Sequence, residues 1–393
     1  MKENANPTIG FPIIMFGTDA SVFDPKSDAA LRMQEYTKLH AHVHIITSAR
    51  DLQGRSVIPL SEKVSVYPSK SSIRPIALCG MYRRARLVMR EHGVRCVMSQ
   101  DPFALGFVAY LLTRESRGVF SVGIYGMDIN DLFFKRESIV QRLQMLIAPF
   151  VMRRADAIQT DGPETIEPLR QRYGEKIFFK PMFPSNTKDL ETIERTIPST
   201  PLRILFIGRF SLQKNPDLLA DVIIASAREF GEKVHFTLVG SGSLKNSLLE
   251  TVRMHGAEKN ITDAGTLNRQ QIVVMYAMHH LLILTSYDEG FPRVFMEAAI
   301  AGMPVITTNV GGVKDLIIDG ESGFVLPQGS TADDFVQKIK MLVENREQLN
   351  MFSKGIRQKW DEYYGGKTVL DYQKPLVEFL GERLDALTPA VQE

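Results

Sequence analysis

The sequence predicts an α/β protein with two Rossmann-like domains, and three observations lead there. Short apolar runs alternate with stretches of helical spacing along most of the chain, the pattern of a parallel sheet covered by helices. That alternation dissolves once, around KDLETIERTIPSTP, into charges, Thr, Ser and two prolines, and then resumes, as at an interdomain connection. The chain has 393 residues, more than one hydrophobic core usually supports, so two domains of roughly 200 residues each are expected.

The first series covers 1–195. Phe11 to Phe16 reads as its first strand, followed by a helix with Leu31, Tyr36 and Leu39 near helical spacing and by a strand at Val43 to Thr47. CVMSQ, GVFSVGIYG and DAIQT are strand-like, with ALGFVAYLL and SIVQRLQMLIAPFVMRRA helical between them. The second series covers 196–367, opening with LRILFIGRF and HFTLVGSGS. Within it, Leu281 to Leu284 is the apolar run of a strand buried on both faces. Pro292 suits the first position of a helix through Ala298, Ala299 and Ala301, which Gly302 and Pro304 stop before a further strand, Val305 to Thr308. The tail, 368–393, has a helical apolar face (Leu370, Tyr372, Leu376, Phe379, Leu380) with no strand after it, and is expected to pack back on the first domain. Two such domains in tandem imply a cleft between facing strand ends, where ligands of open α/β sheets sit.

Apolar content of 44% and charged content of 23% describe an ordinary soluble globular protein. The net charge of +2 conceals an asymmetry: residues 1–200 carry 27 Lys and Arg against 21 Asp and Glu, and the remainder 20 against 24. A mildly basic first half suits an anionic acceptor or an anionic membrane surface better than nucleic acid, which calls for a dense basic stripe with interleaved aromatics. Cys79 and Cys96 have no zinc spacing and are too few for a disulfide framework, so a reducing cytoplasm is expected and both are read as core residues. The start lacks a long apolar core with a cleavage site, and FALGFVAYLL is far below the ~20 residues of a spanning helix, so any membrane contact is peripheral. MYRRARLVMR and LQMLIAPFVMRRAD are basic and partly apolar, which fits either docking on anionic lipid or helices packed on a sheet.

Several loops carry candidate chemistry. After ILFIG, Gly208 permits close backbone approach and Arg209 and Lys214 supply two cations able to hold a diphosphate, with Asn215 or Asp217 capping the next helix. Gly240 and Gly242 in LVGSGS form a tight turn rather than a dinucleotide fingerprint, since the third glycine and the acidic partner are missing. Glu289 sits in the loop after LLIL, and Glu297 about a turn and a half inside the following helix, placed to accept from sugar hydroxyls. Taken singly, each of these is also what a solvated loop or helix face looks like. The alternating His40, His42 and His44 receive no function.

In sequence order, however, Gly208-Arg209 with Lys214, Val239-Gly240 with Gly242, Ser286 with Glu289-Gly290-Phe291-Pro292 and Glu297-Ala298, Ala301-Gly302 with Pro304, Gly311-Gly312 and Asp319-Gly320 with Gly323-Phe324 resemble the donor domain of the large retaining glycosyltransferase family four. The resemblance spans roughly residues 203–328. It implies the GT-B fold and transfer from a UDP- or GDP-type nucleoside-diphosphate sugar to an acceptor hydroxyl of a carbohydrate or glycolipid, as in surface polysaccharide or glycolipid synthesis. Arg209 and Lys214 would hold the diphosphate. Glu297 would bind the ribose, and Glu289, with Val294 and the backbone of Gly290, Phe291 and Pro292, would contact the transferred sugar. No Asp-x-Asp tripeptide occurs, so neither a metal nor a permanently bound cofactor is expected.

In the first domain the resemblance is thinner. Gly17 stands alone where the family often has a glycine pair, and Tyr125 in GIYGMD stands where it frequently has a histidine, with Gly126 and Asp128 matching. Asp101 is read as a helix cap. Two other functions fit the same resemblance: a sugar-nucleotide epimerase of this fold, and an inactive nucleotide-sugar-binding partner, which the Tyr125 replacement keeps open.

Overall fold

The computed structural model describes residues 10–51, 53–71, 73–125, 139–181, 183–184, 187–195 and 200–387. They fall into two units, Met1–Pro181 with Lys367–Glu393, and Met182–Gly366. The first passage between units comes earlier than the expected 195/196. Residues 188–195 of the charged stretch that reads as a linker are folded into the second unit by apolar and basic anchors. Leu190 and Ile193 are buried, and the Arg195 guanidinium donates to the carbonyls of Ala301 (3.0 Å) and His279 (2.5 Å).

The first unit is an eight-stranded sheet: β1 (Ile13–Gly17), β2 (Val43–Arg50), β3 (Ile58–Ser61), β4 (Val64–Ser69), β5 (Cys96–Ser99), β6 (Val119–Ile124), β7 (Ala157–Thr160) and β8 (Ile177–Phe179), in the order β3-β4-β2-β1-β5-β6-β7-β8. All neighbours are parallel except β3, which runs antiparallel to β4. Successive side chains of a strand point to opposite faces, and β1 divides accordingly. Ile14 and Phe16 join the core under helices Arg74–His92, Ala104–Ser116, Ile139–Arg154 and Pro163–Tyr173. Ile13 and Met15 join the opposite core, which includes Met33 and Tyr36 of helix Asp28–Tyr36 and Leu376, Leu380 and Leu384 of the chain's final helix, Val369–Ala386. That final helix starts at a capping box, Thr368 with Asp371.

The second unit is a six-stranded, fully parallel sheet: β9 (Leu202–Ile207), β10 (Val234–Val239), β11 (Ile261–Gly265), β12 (Leu281–Leu284), β13 (Val305–Thr308) and β14 (Phe324–Leu326), ordered β11-β10-β9-β12-β13-β14. Leu281 to Leu284 are wholly buried, as an apolar run without alternation requires. The helix after β12 spans Arg293–Ile300, so Pro292 is its N-cap rather than its first residue. It closes at Gly302, whose φ of +63° favours glycine, with Met303 N–H bonded to Ala298 O at 2.7 Å. Of the two cysteines only Cys96 is in a core. Cys79 lies on the outer side of helix Arg74–His92, exposed.

Candidate active site

From β9 the chain winds outward to β10 and β11. It then returns to the other side of β9 for β12 and winds outward again to β13 and β14. The winding direction therefore reverses between β9 and β12, and the carboxyl ends of two such strands leave a crevice, the usual ligand position in open α/β sheets. The loops leaving β9, β10, β12 and β13 at that end carry most of the motif residues.

Backbone contacts fix these loops against one another. Gly208 N–H bonds to Val239 O (3.0 Å), Phe210 N–H to Ser241 O (2.9 Å) and Leu244 N–H to Phe210 O (3.1 Å), which continues the β9–β10 pairing past the strand ends. Gly240, at φ +130°, passes so near that a Cβ there would lie 1.9 Å from Gly208 O. Its glycine is thus a packing requirement of the turn. On the other side, Tyr287 N–H bonds to Gln213 O (2.9 Å), and the Thr285 hydroxyl donates to Lys214 O (2.9 Å). Thr308 Oγ1 donates to Ser286 O at 2.6 Å, and a Cβ on Gly311 would lie 2.0 Å from Gly290 O. Asn215, with φ +50°, caps helix Pro216–Phe230 through Leu218 N–H (3.3 Å); Asp217 does not serve as the cap.

This framework brings Lys214 and Glu289 together. The Lys214 ammonium pairs with Glu289 Oε1, and the Ser286 hydroxyl donates to the same oxygen at 2.8 Å. Both side chains are mostly buried, Lys214 at 15% and Glu289 at 9% exposure. An ammonium has three donors, so the ion pair leaves Lys214 able to bond further anions. Among the described residues no hydrogen bond reaches Glu289 Oε2. Arg209 stands five residues before Lys214 on the same loop and is exposed.

Glu297 is buried, and each carboxylate oxygen has a partner. Arg269 Nη1 lies 2.5 Å and Arg293 Nε 3.5 Å from Oε1, while the Tyr276 hydroxyl is 3.0 Å from Oε2 and also 3.0 Å from Val294 O. Arg269 and Tyr276 come from helix Arg269–Met278, which follows β11; Arg293 lies one turn before Glu297 on its own helix. Burial, reinforced by the Glu297 charge, holds the Tyr276 phenol protonated far above its ordinary range. Phe291 is also buried, its ring edge-on to Tyr364 with centroids 5.9 Å apart, so Gly290, Phe291 and Pro292 offer backbone rather than side chains.

Gly17 and Tyr125 belong to the first unit, at the carboxyl ends of β1 and β6, with β5 between. The Tyr125 ring folds back over Gly123, where a Cβ would lie 2.2 Å from it. Its hydroxyl donates to Gln159 Oε1 (3.1 Å), Gln159 Nε2 donates to Ser121 Oγ (2.9 Å), and Gln373 of the final helix donates to Gln159 Oε1 (3.3 Å). Tyr125 is therefore part of a buried amide network, and burial raises its phenol pKa. Asp128 and Gly126 lie outside the described residues. Asp101 accepts from Phe103 N–H at 2.8 Å beside the start of helix Ala104–Ser116.

Ser286 is part of the sequence motif but had no role assigned to it; sequence reasoning missed Arg269, Tyr276, Arg293 and the buried Lys180, whose Nζ is 5.1 Å from the Tyr36 ring centre and 5.4 Å from that of Tyr125. Arg293 carried a signal, since a basic residue four before Glu297 shares its helix face. The others meet their partners only through the fold.

Residues 188–359 match the family model described as glycosyl transferases group 1. The sulfoquinovosyl transferase SQD2 of Arabidopsis thaliana is 27% identical over 195 residues, covering 47% of this chain and 34% of that protein. The chain spans about a third to a half of the length of the curated relatives it matches. Among solved structures, sucrose-phosphate synthase from Thermosynechococcus elongatus superposes with a TM-score of 0.74 at 16% identity, covering 96% of this chain and 98% of that one. Anabaena Alr3699/HepE in complex with UDP-glucose gives 0.71 at 15%, covering 94% and 99%. The structural likeness establishes the GT-B fold, two Rossmann-like units in one chain.

Proposed function

Because residues 188–359 belong to the glycosyl transferases group 1 family, we propose that this chain is a retaining, metal-independent glycosyltransferase. It moves a sugar from a UDP- or GDP-type nucleoside-diphosphate sugar to a hydroxyl of a carbohydrate or glycolipid acceptor, in surface polysaccharide or glycolipid synthesis. It works in the cytoplasm, with peripheral contact at the inner face of the membrane. The observation that carries this reading is the meeting of Lys214 and Glu289 at the sheet's reversal point, an anion-binding group beside a hydroxyl-binding one.

In the reaction, the bond from the anomeric carbon to the diphosphate oxygen breaks while a bond to the acceptor oxygen forms on the same face. The acceptor proton passes to the departing diphosphate. Arg209 and Lys214 stabilise the negative charge that builds on that leaving group, a preorganised electrostatic effect that grows toward the transition state. Glu289 accepts from a sugar hydroxyl through Oε2 and keeps Lys214 in place through Oε1. Glu297 receives the ribose hydroxyls, its orientation held by Arg269, Arg293 and Tyr276.

A thermal-shift screen against UDP-, GDP- and ADP-sugars tests the proposal, since a ligand that binds only the folded state raises its apparent stability. One nucleotide class should raise the melting temperature. An unmoved melting temperature with all of them at millimolar concentration would sink the donor assignment.

A further inference from the structure

The three helices Arg74–His92, Ala104–Ser116 and Ile139–Arg154 lie side by side on one face of the first sheet and share its core. Together they hold nine arginines, no lysine, no aspartate and only two glutamates, Glu91 and Glu115, in a chain whose net charge is +2. The fourth helix on that face, Pro163–Tyr173, balances two arginines with two glutamates. Glu115 is consumed by Arg86 (2.5 Å) and Arg90 (3.4 Å). Among the described residues, no acidic side chain pairs with Lys70, Arg74, Arg83 or Arg84.

The same layer exposes apolar side chains. On helix Arg74–His92 the inner face buries Ala77, Met81, Ala85, Val88 and Met89. On its outer face, Ile73 at the N-cap, then Ile76, Gly80, Arg83, Leu87 and Arg90, recur at steps of three and four, a continuous stripe of apolar and cationic groups. Ile73 is 59% and Ile76 56% exposed, and Leu146 on the third helix is 74% exposed. Where the stripe begins it borders a cavity of about 430 Å³ whose lining includes Tyr67, Lys70, Ile76, Arg83 and Arg84. Large apolar side chains held out among unpaired arginines are costly in water and favourable where hydrocarbon meets phosphate.

We propose that this helix layer docks on a membrane rich in anionic phospholipid, with Ile73, Ile76 and Leu87 entering the headgroup boundary and the arginines contacting lipid phosphates. The cavity beside Lys70 and Arg83 would seat one headgroup. This deepens the peripheral contact proposed above by naming its surface, and it needs no donor or acceptor, so it stands or falls apart from the transferase chemistry.

The test is co-sedimentation of the full chain with sucrose-loaded vesicles of phosphatidylcholine alone or with about 30 mol% phosphatidylglycerol, at low and high salt. The wild type should bind only the anionic vesicles, more weakly as salt rises. Arg74→Ala with Arg83→Ala should weaken partitioning by about 25-fold, at about 1 kcal/mol for each cation near an anionic surface. Ile73→Ser with Ile76→Ser should also weaken it, while Arg228→Ala with Lys233→Ala, exposed cations of the second unit, should leave it unchanged. All three variants alter exposed positions, and matching circular dichroism melts establish that they fold. Equal binding to neutral vesicles, or an equal loss in the second-unit variant, would overturn the proposal. So would wild-type binding by the isoleucine variant, which would point to a soluble polyanion such as nucleic acid instead.

Discussion

Lys214 and Glu289 stand 75 residues apart in the sequence and form an ion pair where the loops leaving β9 and β12 meet. Lys214→Ala leaves Glu289 buried without its counter-ion and, on the proposed role of Lys214, removes a preorganised positive charge from the departing diphosphate. Turnover at saturating donor should fall by about 10²-fold or more. Near-normal rates would reject the role proposed for Lys214.

Glu297→Ala should weaken UDP or GDP binding, measured by titration calorimetry, if its carboxylate receives the ribose. It also strands Arg269, Arg293 and the Tyr276 hydroxyl. Glu297→Gln, which keeps an acceptor for Tyr276, should therefore fold more stably than Glu297→Ala while binding nucleotide less tightly than the wild type. Unchanged affinity in both variants would exclude the ribose role.

Gly240→Ala should disturb the packed loops leaving β9 and β10 without touching a charged group. The new Cβ would lie 1.9 Å from Gly208 O, and φ of +130° disfavours any side chain. The expected loss is roughly 1–3 kcal/mol of stability, as for other overpacked sites, with a raised KM for donor. Gly256→Ala is the control for backbone strain alone, since at φ +71° its Cβ would meet nothing within 4 Å.

Acid should destabilise the fold in a defined window. Burial is the main cause that holds the His40 and His279 imidazoles down to about 4, against an ordinary 6.5. Between those values the unfolded chain binds protons that the folded one refuses, so stability is full above pH 6.5 and declines as pH falls toward 4. Each group adds a slope of about 1.4 kcal/mol per pH unit there. His40→Leu should flatten urea-denaturation stability across this range, and a slope equal to that of the wild type would reject the assignment.

What was legible in the sequence divides by locality. Leu281 to Leu284 announces a buried strand because an unbroken apolar run has few other places to go, and the glycines flanking the site mark tight turns. The edge strand β11, ITDAG, has no apolar run since it faces water, and the short β3 and β14 offer three or four residues each. The motif order located Lys214, Glu289 and Glu297, but not which cation serves which acid. Arg269 reaches Glu297 across 28 residues, from the helix before β12 to the helix after it, and Lys214 reaches Glu289 across 75, a pairing that exists only once β9 and β12 lie side by side. The linker-like segment misled for a related reason: Leu190, Ile193 and Arg195 become anchors only beside Ala301 and His279.

The final helix, Val369–Ala386, closes a core whose other members are made several hundred residues earlier. Leu376 and Leu380 are fully buried in it, each contributing roughly 1.5–3 kcal/mol. During synthesis the second unit, Met182–Gly366, has its whole sequence available before the first does. The earlier-born half must therefore wait on the ribosome with one flank of its sheet open. A nascent chain released just before Lys367 should keep a folded second unit attached to an aggregation-prone first one.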